Sequence, residues 1–341
     1  MGIHDRPSQA FLDRLQEAVG FDPPRQHGFN TVEAIQAMLD GRAKLFFAMG
    51  GNFLQATPDT QRTAEALRKT DMIVHVSTKL NRGHLVHGRQ AIILPCLARS
   101  EIDDQAYGEQ FVTVENSMGV VHSSRGHLKP AHPGLYSESS IVAWLAEKVL
   151  GPENPVSWCW YIENYDRIRD LIEKAIPGFE RFNERVREPG GFHLYNGARE
   201  RKFNTDTGKA KFTINPAPDL TLPEGSFRMM TIRTHDQYNT TVYGNDDRYR
   251  GIRGGRRVVF MNEADMREAG FEAGARVDLR NDFGGEVRTA PRFTVVPYPI
   301  PRRCVGTYFP EANVLVPLEH YAEGSYTPAS KDVTVRLSLS S

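Results

Sequence analysis

The stretch Thr231-Ile-Arg-Thr-His-Asp-Gln-Tyr-Asn-Thr-Thr-Val-Tyr-Gly244 follows directly from an apolar strand predicted at Phe227–Ile232. Residues 231–240 offer a guanidinium, an imidazole, two amides, a phenol and several hydroxyls. That is more hydrogen-bonding capacity than a turn uses, and it suits a large anionic ligand. A solvated loop after a strand is the plain alternative, and the neighbouring sequence decides between them.

Toward the C-terminus helices nearly vanish. Strands are predicted at Phe227–Ile232, Arg256–Met261, Arg276–Arg280, Arg288–Val296, Cys304–Phe309 and Val333–Leu339, with one short helix, Glu263–Ala269, capped by Asn262 and closed by Gly270. Short strands with interposed glycines and one helix predict a small closed β-barrel over residues 218–341. On the other side, Pro216, Pro218 and Pro223 read as a stiff linker, which places the domain boundary near 218. Before it, Phe203 to Ile214 has the pattern of a hairpin turning at Asp206-Thr-Gly208.

The first half reads as α/β. A peripheral helix from Pro7 to Val19 lies within residues 1–29, and a second helix capped by Thr31 runs to Leu39. The strand Ala43–Met49 runs into Gly50-Gly51-Asn52, then a helix from about Pro58 to Lys69 and a strand at Met72–Val76. This β-α-β unit puts the loops Gly50–Thr57 and Ser77–His87 at the carboxyl ends of parallel strands, where open α/β sheets bind ligands. A third strand follows at Gln90–Leu94, then strand-like alternation at Phe111–Val114 and Gly119–His122, and an apolar helix, Ile141–Leu150, capped by Ser137. Residues 30–151 are therefore expected to form one Rossmann-like parallel-sheet domain. Residues 152–217 are expected to be a helical segment and hairpin linker.

Composition removes several functions. The 341 residues carry 42 Lys plus Arg and 42 Asp plus Glu, so no global field favours nucleic acid or an anionic membrane surface. Cys96, Cys159 and Cys304 form no C-x-x-C pair, which fits a reducing compartment and gives no iron–sulfur or zinc pattern. His84, His87, His122, His127 and His132 lack a carboxylate pattern for a metal and read as loop and surface histidines. With no apolar signal core and no run near the roughly 18 residues a membrane span needs, a soluble, cytoplasmic protein is expected.

Four motifs stand in order: Thr-Gly-Lys-Ala-Lys-Phe (207–212), Thr-Ile-Arg-Thr-His-Asp-Gln-Tyr-Asn-Thr (231–240), Met-Asn-Glu-Ala-Asp-Met-Arg-Glu-Ala-Gly-Phe-Glu-Ala-Gly-Ala-Arg-Val (261–277), and Tyr-Phe-Pro-Glu-Ala-Asn-Val-Leu (308–315) leading to Thr-Pro-Ala-Ser-Lys (327–331). With Gly-Gly-Asn-Phe-Leu-Gln-Ala-Thr-Pro-Asp-Thr (50–60) and Val-Glu-Asn-Ser-Met-Gly (114–119) before them, the sequence resembles the C-terminal half of the dimethyl sulfoxide reductase family of molybdenum enzymes. Thr-Lys-Leu-Asn-Arg-Gly-His-Leu (78–85) resembles its formate-dehydrogenase-like alpha subunits. The resemblance implies a double-psi-like barrel that binds molybdopterin dinucleotide, and as cofactor a molybdenum bis(molybdopterin guanine dinucleotide). Arg233, Thr234, Gln237, Tyr238, Asn239 and Thr240 would meet pterin or pyrophosphate, with Asn313 and Lys331 adding an amide and a cation. Gly51, Asn52, Ser77, Thr78 and Asn81 would cradle the guanosine end of one tail. The Arg248–Arg257 run is read as a loop that contacts cofactor phosphate or further domains rather than nucleic acid.

Family members also carry N-terminal domains that hold the metal's protein ligand and, in many cases, a 4Fe-4S cluster. The sequence matches none of these, so it is expected to act with an N-terminal half of the same enzyme and an electron-transfer subunit, and to catalyse nothing alone. The alternative is a non-catalytic α/β plus barrel binding module or partner subunit.

Overall fold

A computed structural model describes residues 7–240 and 242–341. In chain order the first elements are α1 (Gln9–Val19), α2 (Thr31–Leu39), β1 (Leu45–Met49), α3 (Phe53–Ala56), α4 (Thr60–Arg68), β2 (Met72–Ser77) and β3 (Gln90–Pro95). Next come β4 (Asp104–Gln105), β5 (Gly108–Glu109), β6 (Val112–Glu115), β7 (Val120–Ser124), α5 (Glu138–Leu150), α6 (Trp158–Glu163), α7 (Asp166–Ala175), α8 (Phe182–Arg185) and β8 (Phe192–His193). The last are β9 (Phe227–Ile232), β10 (Val258–Met261), α9 (Glu263–Ala269), β11 (Arg276–Phe283), β12 (Glu286–Pro297), β13 (Cys304–Tyr308) and β14 (Val333–Leu339). Contacts divide the chain into two units, each assembled from two stretches: Met1–Gly28 with Pro95–Ala217, and Phe29–Leu94 with Pro218–Ser341.

The second unit is built on a closed barrel in the order β10-β12-β11-β14-β9-β13. Two of its pairs, β10 with β12 and β13 with β9, are parallel, and the others are antiparallel. Met229, Val259, Leu279, Phe293 and Val305 fill the interior, and Ala312 and Leu315 join this core from the turn after β13. The β-α-β prediction holds here: β1 and β2 are parallel from Leu45↔Met72 to Met49↔Val76, and β3 lies beside β2. Ile35, Met38, Leu54, Leu67 and Ile73 form the core of this layer, and Leu318 enters it from beyond the barrel's fifth strand. Two polar contacts join layer and barrel. Arg288 Nε donates to Asp59 Oδ2 at 2.6 Å with both side chains buried, and Asn313 Nδ2 donates to the carbonyls of Gln55 and Ala56 at 2.7 and 3.2 Å, closing the end of α3.

In the first unit β6, β7 and β8 form an antiparallel sheet, and β4 and β5 a short hairpin. Phe111, Val121, Phe182, Val186 and Phe192 make one core. Ser137 caps α5 as expected: its hydroxyl accepts from the Ser140 N–H at 3.2 Å.

Four expectations need correction. The hairpin at 203–214 is only a turn, in which Gly208 N donates to the Thr205 carbonyl at 2.9 Å, with no ladder on either side. Phe212 and Ile214 are 99% and 100% exposed, and a two-stranded ribbon without an apolar layer to cover it is marginal. The cap of α2 is Asn30, in a capping box with Glu33, and not Thr31, because a cap must have non-helical backbone and reach the third N–H beyond it. Residues 53–56, read as loop, form α3. The 30–151 stretch divides at Leu94 in the contact pattern: β6 pairs with β7 and β7 with β8, in a sheet separate from the parallel strands, since a short turn can join only antiparallel neighbours.

Candidate functional site

Strand direction gathers the polar stretch and three distant segments at one end of the barrel. β9 and β13 are parallel and finish together, at Ile232 and Tyr308. β10 runs against β13 and β14 against β9, so Arg256, just before β10, and Lys331, just before β14, come to the same end.

Arg256 is the centre of this end. Its buried guanidinium donates from Nε to Glu311 Oε1 at 2.8 Å and from Nη2 to Gln237 Oε1 and the Phe309 carbonyl at 2.9 and 2.7 Å. Nη1 reaches Thr234 Oγ1 at 3.4 Å, and the group lies 4.4 Å over the Tyr243 ring. Gln237 closes the frame by donating to the carbonyls of Phe309 and Asn239 at 2.8 and 2.7 Å. Thr234, Gln237 and Thr240 therefore face inward or brace the loop. Arg233, Tyr238 and Asn239 are exposed on it, Arg233 lying 5.4 Å over the Phe309 ring and Asn239 in the left-handed backbone region at φ 47°. The Tyr238 backbone pairs with Val242 across the turn.

Below the loop, Asp247 accepts from Tyr308 Oη at 2.8 Å and from Arg250 Nη1 at 2.6 Å. Burial pushes the Asp247 carboxyl up, but the Arg250 and Tyr308 bonds outweigh it and hold the group below its ordinary range. The Tyr308 hydroxyl is pushed up by burial and by this carboxylate. Lys331 Nζ donates to the Thr231 carbonyl, and desolvation, then the Arg233 charge, lowers it from the ordinary lysine value. The Arg248–Arg257 run is thus no free basic arm: Arg250 and Arg256 are locked by Asp247 and Glu311, and Arg248 lies 3.8 Å from Asp236. His235 packs against Tyr249 with ring centroids 3.9 Å apart and the planes tilted by 39°.

The second group of predicted residues lies where β1 and β2 end. Gly50 and Gly51 both have positive φ, 65° and 68°, which only glycine adopts freely, and the space above Gly51 is open. Asn81 Nδ2 donates to the Gly51 carbonyl at 3.3 Å, tying the two loops, and Ser77 Oγ donates to the Lys79 carbonyl at 2.8 Å beside the exposed Thr78. The Tyr243 phenol is raised by burial and Glu311, against the charges of Arg256 and of Arg82 in this second group. Of the sequence-predicted set, Asn313 faces inward: it is 3% exposed and holds α3.

Residues 227–334 match the molydopterin dinucleotide binding domain. The chain carries the C-terminal, dinucleotide-binding part of the dimethyl sulfoxide reductase family. An uncharacterized oxidoreductase of Mycobacterium tuberculosis is 49% identical to it over 343 residues, 99% of this chain and 44% of that protein. Protein YdeP of Escherichia coli is 45% identical over 344 residues, 99% of this chain and 45% of its own. The chain therefore spans less than half the length of these relatives. Acetylene hydratase from Pelobacter acetylenicus shares the fold, with a TM-score of 0.62 at 12% identity over 97% of this chain and 50% of that one.

The dinucleotide-binding assignment fits the side chains present. Exposed Arg233, Tyr238 and Asn239 stand on a frame fixed by Arg256, and the buried Glu311 Oε2 and Asn52 Oδ1 have no partner among the described residues. A long anionic ligand with donor and acceptor edges is what such groups can bind. Sequence reading missed Arg256, Asp247 and Glu311. The signal was faint: an arginine at the very start of an apolar strand reads as solvated until the strand's register buries it.

Proposed function

We propose that this chain grips the dinucleotide tails of a molybdenum bis(molybdopterin guanine dinucleotide) cofactor in a formate-dehydrogenase-like oxidoreductase. Bound molybdenum would supply the redox chemistry. Arg233, Tyr238 and Asn239 would hold pterin and pyrophosphate oxygens, and Lys331 would add positive charge. The Gly51–Asn52 turn with Ser77, Thr78 and Asn81 would hold one guanosine. A further N-terminal region, together with an electron-transfer subunit in the cytoplasm, would supply the metal ligand, any 4Fe-4S cluster and the route for electrons. The proposal extends to the fold: two parallel pairs in a six-stranded closed barrel support a double-psi arrangement, and the β1-α4-β2 crossover supports a Rossmann-like layer.

One observation carries this reading: Arg256 fixes Thr234, Gln237 and Phe309 into a rigid frame, inside residues 227–334, from which Arg233 and Asn239 project. The test is the guanine nucleotide and molybdenum content of the protein isolated with its cofactor. Arg233→Ala and Asn239→Ala should each lower retention at least about tenfold, the loss of one charged or well-placed hydrogen bond. Full retention in both variants would remove the site assignment.

A further inference from the structure

Beneath the Gly50–Asn52 turn is a pocket of about 10 Å³ lined by Phe46, Leu54 and Leu67 and by the polar residues Asn52, His75, Asn81 and His84. This is about the room that one water centre needs. Three side-chain atoms of these lining residues, Asn52 Oδ1, His75 Nε2 and His84 Nδ1, are buried with no partner among the described residues. His75 itself is 8% exposed. Buried polar atoms are rarely left unmet, and three on one small void call for a shared partner.

The directions of the bonds can be worked out. Asn81 Oδ1 accepts from the Gly83 N–H at 2.8 Å, so Nδ2 is the donor that meets the Gly51 carbonyl at 3.3 Å and faces His84 Nε2 at 3.4 Å. His84 Nε2 therefore accepts, and the neutral ring carries its proton on Nδ1. Desolvation lowers both imidazoles from their ordinary value, and the ionisable neighbours that bear on His75 are His84 and His87. The lining from β1, α3 and α4 is apolar.

We propose that one water molecule occupies this pocket, accepting from His84 Nδ1–H, donating to Asn52 Oδ1 and hydrogen-bonded to His75 Nε2. It completes a one-way hydrogen-bond relay from the Gly83 backbone through Asn81 and His84 to Asn52. The relay turns the Asn52 carbonyl oxygen inward, so the residue presents its Nδ2 donor to acceptor atoms lying on the Gly50–Asn52 turn. Only this last step rests on the cofactor reading above. A cation does not suit the pocket: His84 Nδ1 bears a proton, and no group of three or more His, Cys, Asp or Glu among the described residues is placed to hold a metal. The relay also accounts for Gly83, where a Cβ would come within 2.9 Å of Asn81 Oδ1 and 3.2 Å of Asn52 Oδ1.

Nitrogen-15 NMR of the full chain reads the His84 tautomer, and a crystal structure at neutral pH reads the solvent. The expected results are the Nδ1–H tautomer, a single water within hydrogen-bond distance of all three atoms, and reversion of His84 to the Nε2–H form in Asn81→Leu. In Gly83→Ala the water should be displaced. An Nε2–H tautomer in the unaltered protein, an anomalous signal from a metal, or absence of ordered solvent from the pocket overturns the relay. A relay seen in a protein with no affinity for guanosine diphosphate supports this inference and removes only the cofactor reading of the loop. Because the tautomer is read in the unaltered protein, a variant that fails to fold leaves the test intact.

Discussion

Arg256 shares its buried guanidinium among a carboxylate, an amide and a carbonyl, so each partner's position depends on it. Arg256→Met should destabilise the protein by about 3–5 kcal/mol, because it leaves Glu311 without its cation. Arg256→Lys should recover little, since an ammonium cannot bridge the same three acceptors. Denaturant midpoints measure both, and a loss within the scatter of surface substitutions would contradict the frame. His75 and His84 predict a pH dependence. Burial lowers both from the ordinary 6.5, so as pH falls through that value the unfolded chain takes up protons first. Stability should fall from about 6.5 down to the folded values and level off below them, and His75→Leu should flatten that slope in denaturation curves. At this scale the polar loop after β9 was legible because its residue types, crowded after a strand, exceed what a turn uses. Arg256 and Arg288 were not, because only the register of β10 and β12 shows that these arginines are buried.

Asp59 sits at φ 47°, caps α4 through the Arg62 N–H and pairs with Arg288 on β12. Asp59→Asn keeps an acceptor for the helix but withdraws the charge that balances Arg288, and should cost about 3 kcal/mol. In a double-mutant cycle with Arg288→Met the two losses should be strongly non-additive, and simple addition would refute the pairing. The barrel strands and the helices α1, α4, α5 and α9 were legible to within a few residues, since each has a periodic apolar pattern between turn residues or a recognisable cap. The hairpin at 203–214 misled for the converse reason. Its alternation is correct for a strand, but alternation specifies a face, and no layer covers that face here.

For the molecule as a whole, the exposed stretch 209–221, which has no strand or helix, is the expected first site of tryptic cleavage, at Lys209 or Lys211. The nicked halves should stay together on a native gel, because α3 and α4 are bound to the barrel through Asn313, Arg288 and Leu318. Separation of the fragments without denaturant would contradict that packing. The pairing of Phe29–Leu94 with Pro218–Ser341 was not legible, since a periodic pattern identifies elements but carries no trace of partners joined by a hydrogen bond spanning 258 positions. On the ribosome this separation sets an order of events. β14 closes the barrel between β9 and β11, so the β1-β2 layer emerges long before the surface that will cover it can exist. Its Leu54, Leu67 and Ile73 must wait through the synthesis of more than two hundred further residues, until Leu318 and then residues 333–339 have been made. Nascent chains stalled before β14 should therefore bind hydrophobic-segment chaperones, and those extended past it should not.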